Sequence, residues 1–328
     1  MTQKKIPLAH LPTKIEFLPR LTKTLGGPRI FCKRDDQTGL GFGGNKTRKL
    51  EYLLAEALNQ DAKTLVSVGS IQSNHCRQTA ALAARFGLGC ILVLSGTEPG
   101  KVTGNLFLDR LFGAQIIWAD RDNRDQILEE VMKRAEQEGK APYKIPYGGS
   151  SRVGMLGYVD AMHELRLEEE ETGTHFDWIV TASSSGGTQA GMILGAQVWG
   201  FKGRILGISI EDPAEELRAT ISRLVADCAK AEGFSDLPSE ERILVDDHYN
   251  LLGYGVMGAN EIQAISLFAS QEGLLLDPVY TGRAAAGMID LVSKGFFKRE
   301  DKILFWHTGG TPALFAEPYL SQLQFIPQ

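Results

Sequence analysis

GGNKTRKLEY, Gly43 through Tyr52, decides how this chain is read. Gly43 and Gly44 let the backbone turn tightly and leave open space above it. Asn45 is the expected N-cap, and Leu50, Leu53, Leu54, Ala57 and Leu58 recur at helical spacing from Lys46 to about Gln60. Lys46 therefore stands where a loop becomes a helix. There the positive end of the helix dipole disfavours an ammonium and favours the free amine. A free amine beside a glycine-made cleft suits a Schiff base with a carbonyl cofactor. The competing reading is a solvated lysine in a basic first turn, next to Arg48 and Lys49. Other stretches have to weigh between the two.

Before Lys46 the chain offers a lead-in punctuated by Pro7, Pro12, Pro19 and Pro28, then a strand at 29–33. After it, strands at 64–68, 90–94, 115–118 and 143–145 alternate with helices at 74–86, 103–111 and 123–138. Short β-branched runs separated by helices mean βαβ crossovers and a parallel sheet. Pro146 to Ser151 interrupts the alternation. A long helix over 153–171 follows, whose acidic end, Glu168 to Glu171, reads as a solvated face. Strands at 178–182, 204–210, 274–276 and 302–306 then alternate with helices at 188–199, 214–230, 261–272 and 284–294. The expected fold class is α/β with two sheets, one after Lys46 and one after Asp177.

Four further stretches lie where strands end. Thr181-Ala-Ser-Ser-Ser-Gly-Gly-Thr188 joins an apolar strand to a helix, and its glycines, hydroxyls and helix N-terminus make an anion cradle suited to a phosphate. It has neither the Gly-Lys-Ser/Thr ending of a Walker loop nor G-x-G-x-x-G spacing, so a phosphate monoester fits better than a triphosphate or pyrophosphate. A plain Gly-rich βα turn competes with that reading. Gly69 to His75 could hold a carboxylate with Ser73 and Asn74 as donors, or simply cap a helix. Leu276 to Arg283 and His307 to Thr311 both sit just beyond strand C-termini, where open α/β sheets place their ligands.

Composition narrows the classes. The 328 residues are 43% hydrophobic and 23% charged, which suits a chain with an ample core, and the net charge of -5 argues against a nucleic-acid partner. The N-terminus is basic but lacks the long apolar run of a signal peptide, and no apolar window is long enough to span a membrane. Cys32, Cys76, Cys90 and Cys228 are widely spaced and read as thiols in a reducing compartment. The six histidines show no metal spacing. Asp246-Asp247-His248 reads as a solvated loop or strand end. No metal is expected, and the cytoplasm is the expected compartment.

The set GGNKTRKLEY (43–52), SIQSNH (70–75), SSGGT (184–188), DPVYTG (277–282) and HTGG (307–310), in this order, resembles the fold-type-II pyridoxal-phosphate enzymes, the tryptophan synthase β-like class. It is specifically similar to the family of 1-aminocyclopropane-1-carboxylate (ACC) deaminase and D-cysteine desulfhydrase, over nearly the whole chain. The resemblance implies Lys46 as the Schiff-base lysine and Asn74 beside the cofactor's phenolic oxygen. It implies Ser185, Gly186, Gly187 and Thr188 around the phosphate. Ser73 and Tyr280 would lie close to the substrate, with Tyr254 a further tyrosine facing it. It also implies a small inserted domain of residues 50–162, a large domain of 1–49 plus 163–328, the cofactor in the cleft between them, and a homodimer.

Two positions bear on which member this is. The deaminases carry a glutamate facing the pyridine nitrogen where this chain has Thr281, and usually a leucine where it has Thr308. A carboxylate stabilises a pyridinium and a strong electron sink, while a hydroxyl bonds only a neutral or shared-proton nitrogen. Opening a cyclopropane demands more of that sink than expelling hydrosulfide. The reading therefore favours β-elimination on D-cysteine, with cysteate sulfo-lyase, ACC deaminase and a cofactor-binding module without turnover as the alternatives.

Overall fold

The computed structural model describes residues 3–324, so Met1 and Thr2 of the basic leader lie outside the described residues. The chain opens with β1 (Ile15–Phe17), α1 (Pro19–Leu25) and β2 (Arg29–Lys33), then enters α2 (Lys46–Asn59). Next come β3 (Thr64–Ser70), α3 (Asn74–Phe86), β4 (Gly89–Ser95), α4 (Gly104–Leu111), β5 (Gln115–Ala119), α5 (Arg124–Gln137) and β6 (Pro142–Lys144). After α6 (Leu156–Thr172), β7 (Trp178–Ser183), α7 (Gly187–Trp199), β8 (Arg204–Ser209), α8 (Ala214–Glu232) and β9 (Leu244–Asp246) make a second series. It ends in α9 (Ala259–Glu272), α10 (Thr281–Ser293), β10 (Lys302–Trp306) and α11 (Tyr319–Leu323).

Two sheets result. One has the order β1-β2-β10-β7-β8-β9 and the other β5-β4-β3-β6. All pairings are parallel except β1 with β2, as helical crossovers require. Side chains alternate across each sheet. Ile179, Ile205, Leu304 and Trp306 enter one core, while Trp178, Val180, Ile303 and Phe305 enter another on the opposite face. In the four-stranded sheet Leu65, Leu92 and Leu94 face the first of these cores, and Val66, Val68, Ile91 and Val93 pack under α5. The first core thus runs continuously from one sheet to the other through α2, α3, α6 and α7. The helix that presents Lys46 is embedded in it.

Charge pins the same helix. Arg48 is 1% exposed and donates to Asp35 from Nε at 2.9 Å and Nη2 at 2.8 Å, and to Glu164 from Nη1 at 2.9 Å. Asp35 also accepts from Tyr158 at 2.6 Å and from the indole of Trp306 at 2.8 Å. Lys33 Nζ pairs with Glu164 at 2.7 Å and with Glu168 at 3.2 Å. The acidic end of α6 is therefore only partly the solvated face expected of it: Glu168 reaches this cluster, and buried Glu169 accepts from the Phe176 N–H at 2.9 Å.

Residues 274–276 form no strand. Leu274 and Leu276 are buried and Leu275 is exposed, a strand-like alternation. Both sides of β10 are already taken by β2 and β7, however, so the segment has no adjacent place beside it. All four cysteines are buried and free. Asp246, Asp247 and His248 stand together at the end of β9, where Asp246 Oδ1 accepts from His248 N and Asp247 Oδ2 accepts from Ala214 N, the first residue of α8.

Candidate active site

Gly43 and Gly44 are both left-handed, and the space above them is filled by the protein itself. A Cβ on Gly43 would come within 2.1 Å of the Asp36 carbonyl, and one on Gly44 within 2.7 Å of Gln78 Nε2 and 3.0 Å of the Thr308 carbonyl. The Asn45 N–H donates to that same Thr308 carbonyl at 3.0 Å, so the turn before Lys46 leans on the turn after β10. Asn45 occupies the N-cap position with helical angles, and its side chain does not cap. Its amide has another use. Oδ1 accepts from Lys46 Nζ at 2.9 Å and Nδ2 donates to Thr188 Oγ1 at 2.9 Å. The Lys46 amine is drawn down to a pKa of about 8, first by burial and further by Arg77, with Asp277 opposing.

Thr188 belongs to the turn between β7 and α7. Gly186 is left-handed, and a Cβ on Gly187 would meet Ser150 Oγ at 2.5 Å. Ser150 Oγ accepts from the Gly187 N–H at 3.2 Å and from Lys49 Nζ at 3.2 Å, and shares a hydrogen bond of 2.8 Å with Ser185 Oγ. Lys49 also donates to the Gly148 carbonyl at 3.1 Å. Burial, then the neighbouring Lys46, holds its pKa well below the usual lysine range. Hydroxyls, N–H groups at the start of α7 and a buried amine with only neutral partners converge there. Such a cradle calls for an anion.

The opposite wall comes from α3, α10 and the turn after β10. Ser73 caps α3, its Oγ accepting from the Cys76 N–H at 3.1 Å, and also lines the cavity; capping leaves its proton free to donate inward. His75 shares a hydrogen bond of 2.8 Å with Ser67 and is held neutral by burial. His75 lines the cavity, and the next two residues of α3, Cys76 and Arg77, do not. Tyr280 lines the cavity and bonds Tyr254 OH at 2.7 Å, which in turn bonds Ser70 Oγ at 3.0 Å. Burial raises the pKa of both tyrosines, so both stay phenols.

Lys46, Ser73, Asn74, Ser185, Gly186, Thr188, Tyr280 and Thr308 share one cavity, and Gly187 backs it through Ser150. Tyr254 stands one hydrogen bond behind Tyr280. Thr281 does not reach the wall. It is fully buried, its Oγ1 donating to Asp277 Oδ1 at 2.7 Å and accepting from the Asp277 N–H at 2.7 Å. The hydroxyl expected to meet a ring nitrogen is thus spent on starting α10, and Thr308 is the threonine that faces the cavity.

Sequence reasoning missed Asn45 as a bridge, and also Lys49, Ser150, Asp277 and Tyr147, the last of which lines the same cavity. Lys49 carried a faint signal: it lies one helical turn beyond Lys46, on the same face. Ser150 stood in the break that interrupts the strand–helix alternation.

A depressed amine tied to a cradle that a Cβ would fill matches an aldehyde-and-phosphate cofactor. The buried Ser183 hydroxyl, which has no hydrogen-bond partner, adds a further open donor beside the cradle. Residues 6–309 match the family described as pyridoxal-phosphate dependent enzyme. The chain belongs to that family. Its cofactor is pyridoxal phosphate, and the residues present fit it. A D-cysteine desulfhydrase of Klebsiella pneumoniae (strain 342) is 41% identical over 323 residues, 96% of this chain and 97% of the relative. Among solved structures, an ACC deaminase homologue aligns with a TM-score of 0.90 at 37% identity, over 98% of this chain and 96% of that one. The L-serine ammonia-lyase of the fungus Rhizomucor miehei aligns with a TM-score of 0.68 over 96% and 97% of the two chains. At 16% identity that likeness speaks for the fold alone. The fold is that of the fold-type-II enzymes, two parallel-type sheets flanked by helices.

Proposed function

We propose that this enzyme carries out β-elimination on a small amino acid, D-cysteine foremost, yielding pyruvate, hydrogen sulfide and ammonia. The relative named D-cysteine desulfhydrase supports that choice. The observation that carries it is the pairing of Thr281 with Asp277. Asp277 accepts the Thr281 hydroxyl and the N–H groups of Val279, Tyr280 and Thr281, so both of its oxygens are engaged. A threonine at 281 brings no carboxylate to the site, and Thr308 offers only a hydroxyl. That environment suits a good leaving group and not an unactivated ring.

Pyridoxal phosphate, when bound, supplies the electron sink that lets an amino acid lose its α-proton and then a β-substituent. Lys46 would hold the aldehyde end through Nζ, and Asn74 would face the phenolic oxygen. Ser185, Gly186, Gly187 and Thr188 would hold the phosphate, with Lys49 and Ser150 beneath it. With a pKa of about 8, Lys46 Nζ can take and return a proton near neutral pH, which suits it to the α-carbon. Ser73 would donate to the substrate carboxylate. The carbon–sulfur bond breaks with its electron pair on sulfur, and the Tyr280–Tyr254–Ser70 chain is placed to protonate what leaves.

The same reading assigns residues 50–162 to a smaller domain and 1–49 plus 163–328 to a larger one, with both boundaries falling inside helices, α2 and α6. It includes a cytoplasmic homodimer. No described helix is long and apolar enough to cross a membrane. The exposed Phe107 and Leu111 of α4, beside the 3-10 turn that exposes Phe315, support a protein-facing surface. One assay decides the chemistry: release of 2-oxo acid, pyruvate from D- and L-cysteine, cysteate, D-serine and β-chloro-D-alanine and 2-oxobutanoate from ACC, measured side by side. D-cysteine should lead, and a lead for ACC or cysteate would replace the reading.

A further inference from the structure

Asn74 is gripped from behind by Arg77 and Asn105, neither of which lines the cavity. Arg77 Nη1 donates to Asn74 Oδ1 at 3.0 Å and to Asn105 Oδ1 at 2.8 Å, and Nη2 donates to the Gly43 carbonyl at 2.8 Å. Asn105 Nδ2 donates to Asn74 Oδ1 at 2.9 Å and to the Gln72 carbonyl at 2.8 Å. Its backbone N–H donates to Gln72 Oε1 at 2.8 Å. Arg77 and Asn105 are fully buried.

The directions follow from the chemistry. A guanidinium only donates, so Asn105 must turn its oxygen to Arg77 and its nitrogen to Asn74. Asn74 then has its oxygen saturated from two sides, and its Nδ2 points away from them. It faces Gly310, where a Cβ would stand 2.7 Å from that nitrogen. Only a residue without a side chain leaves the approach open.

The charge is as telling as the geometry. Among the described residues no carboxylate pairs directly with Arg77. Asp109 and Asp277 act on it only at longer range, and its Nε and both Asp109 oxygens lack hydrogen-bond partners. A buried cation held against neutral amides is unfavourable until an anion joins it.

We propose that Arg77 and Asn105 are positioning residues that fix the Asn74 carboxamide as a donor toward the cofactor's phenolic oxygen, and that Arg77 lends that oxygen the positive potential its anionic form needs. The inference rests on the reading of Asn74 given above. Lys46, Lys49, His75, Asp109 and Asp277 face the same region and stay unchanged in every variant below.

The test measures pyridoxal phosphate affinity of the apoprotein and the pH midpoint of the visible band of the holoenzyme. Asn74→Ala and Arg77→Gln should each weaken affinity about tenfold, the worth of one charged hydrogen bond. Arg77→Gln should also raise the midpoint by about one pH unit, because the deprotonated, more negative chromophore loses a neighbouring cation. Arg77→Lys should restore the midpoint but not the affinity, and Asn105→Ala should weaken affinity and leave the midpoint in place. In an Asn74→Ala background, Arg77→Gln should add less than about twofold to the loss of affinity. Full multiplication of the two losses, or wild-type affinity and midpoint in Arg77→Gln, overturns the inference while Asn74→Ala still weakens binding. Wild-type behaviour of Asn74→Ala itself overturns the placement of Asn74. Should Arg77→Gln fail to fold, Asn105→Ala decides: unchanged affinity there overturns the inference.

Discussion

One carboxamide bridges Lys46 Nζ and Thr188 Oγ1: Asn45 accepts from the first at 2.9 Å and donates to the second at 2.9 Å. The reactive amine and the anion cradle are thereby set in register by a residue that belongs to neither. The bridge also ties the start of α2 to the start of α7, so the site forms only when these two helices are packed.

The amine's proton should set the pH dependence of cofactor capture. Lys46 gives up its proton near pH 8 where an ordinary lysine would hold it to 10.5. Formation of the visible band by apoprotein and pyridoxal phosphate should rise through about pH 8 and level off above it. Asn45→Asp sets a carboxylate against Nζ and should move that midpoint up by about one pH unit. Stopped-flow absorbance across the pH range checks both, and a midpoint unmoved in Asn45→Asp contradicts the role of the bridge.

Lys49 should trade stability for affinity. Its pKa in the folded chain lies well below the usual value because burial, then Lys46, disfavours the ammonium. Between that lowered value and the unfolded one, the unfolded chain binds more protons, so stability rises with pH across the window and the penalty is full below it. Lys49→Met should therefore stabilise the apoprotein at neutral pH by about 1–2 kcal/mol and flatten this rise. It should also weaken pyridoxal phosphate binding about tenfold. Chemical denaturation and cofactor titration read the two effects separately, and a variant both unchanged in stability and full in affinity would remove Lys49 from the phosphate site.

Much of this was legible in the sequence, and the reasons are local. α3 runs from Asn74 to Phe86 as expected because Ser73 caps its start and left-handed Gly87 ends it. The parallel strands announced themselves as buried apolar runs. β1, β9 and α11 are too short for a period to show. Other misses were matters of the third dimension. Nothing along the chain brings Lys49 to Ser150, or Arg77 to Asn105, and nothing reveals that Thr281 bonds Asp277 in place of facing the cavity. The strand expected at 274–276 had the right alternation and no adjacent partner.

Arg48 and Asp35 should prove the anchor of the Lys46 helix. Burial alone would raise the Asp35 pKa, but Arg48, with Tyr158 and Trp306 donating, brings it down to about 2. A folded pKa below the unfolded one means stability present above the ordinary carboxylate range and lost as pH falls toward about 2. Asp35→Asn leaves Arg48 buried with Glu164 alone and should lower stability at pH 7 by about 3–5 kcal/mol, with a shallower acid limb. A loss below about 1 kcal/mol in urea denaturation would make the cluster peripheral.

The threonine pair should govern substrate choice. Thr308→Leu removes the wall hydroxyl, and in Thr281→Glu the longer side chain must leave the Asp277 contact that holds the threonine and extend its carboxylate toward the cavity. Pyruvate release from D-cysteine should fall and 2-oxobutanoate release from ACC should appear, with the ratio of the two kcat/KM values moving by about a hundredfold. Undiminished preference for D-cysteine in a folded, yellow double variant would sever the link between these two positions and the leaving group.

The most direct measurement is to fix the cofactor where it binds. Borohydride reduction of the holoenzyme, followed by digestion and mass spectrometry, should place the pyridoxyl group on Lys46 and leave Lys49, one turn away, unmodified. Lys46→Ala should give no reduced adduct, no yellow colour and no pyruvate. An adduct on Lys49 or any other lysine, or full turnover by Lys46→Ala without added amine, would contradict the account at its centre.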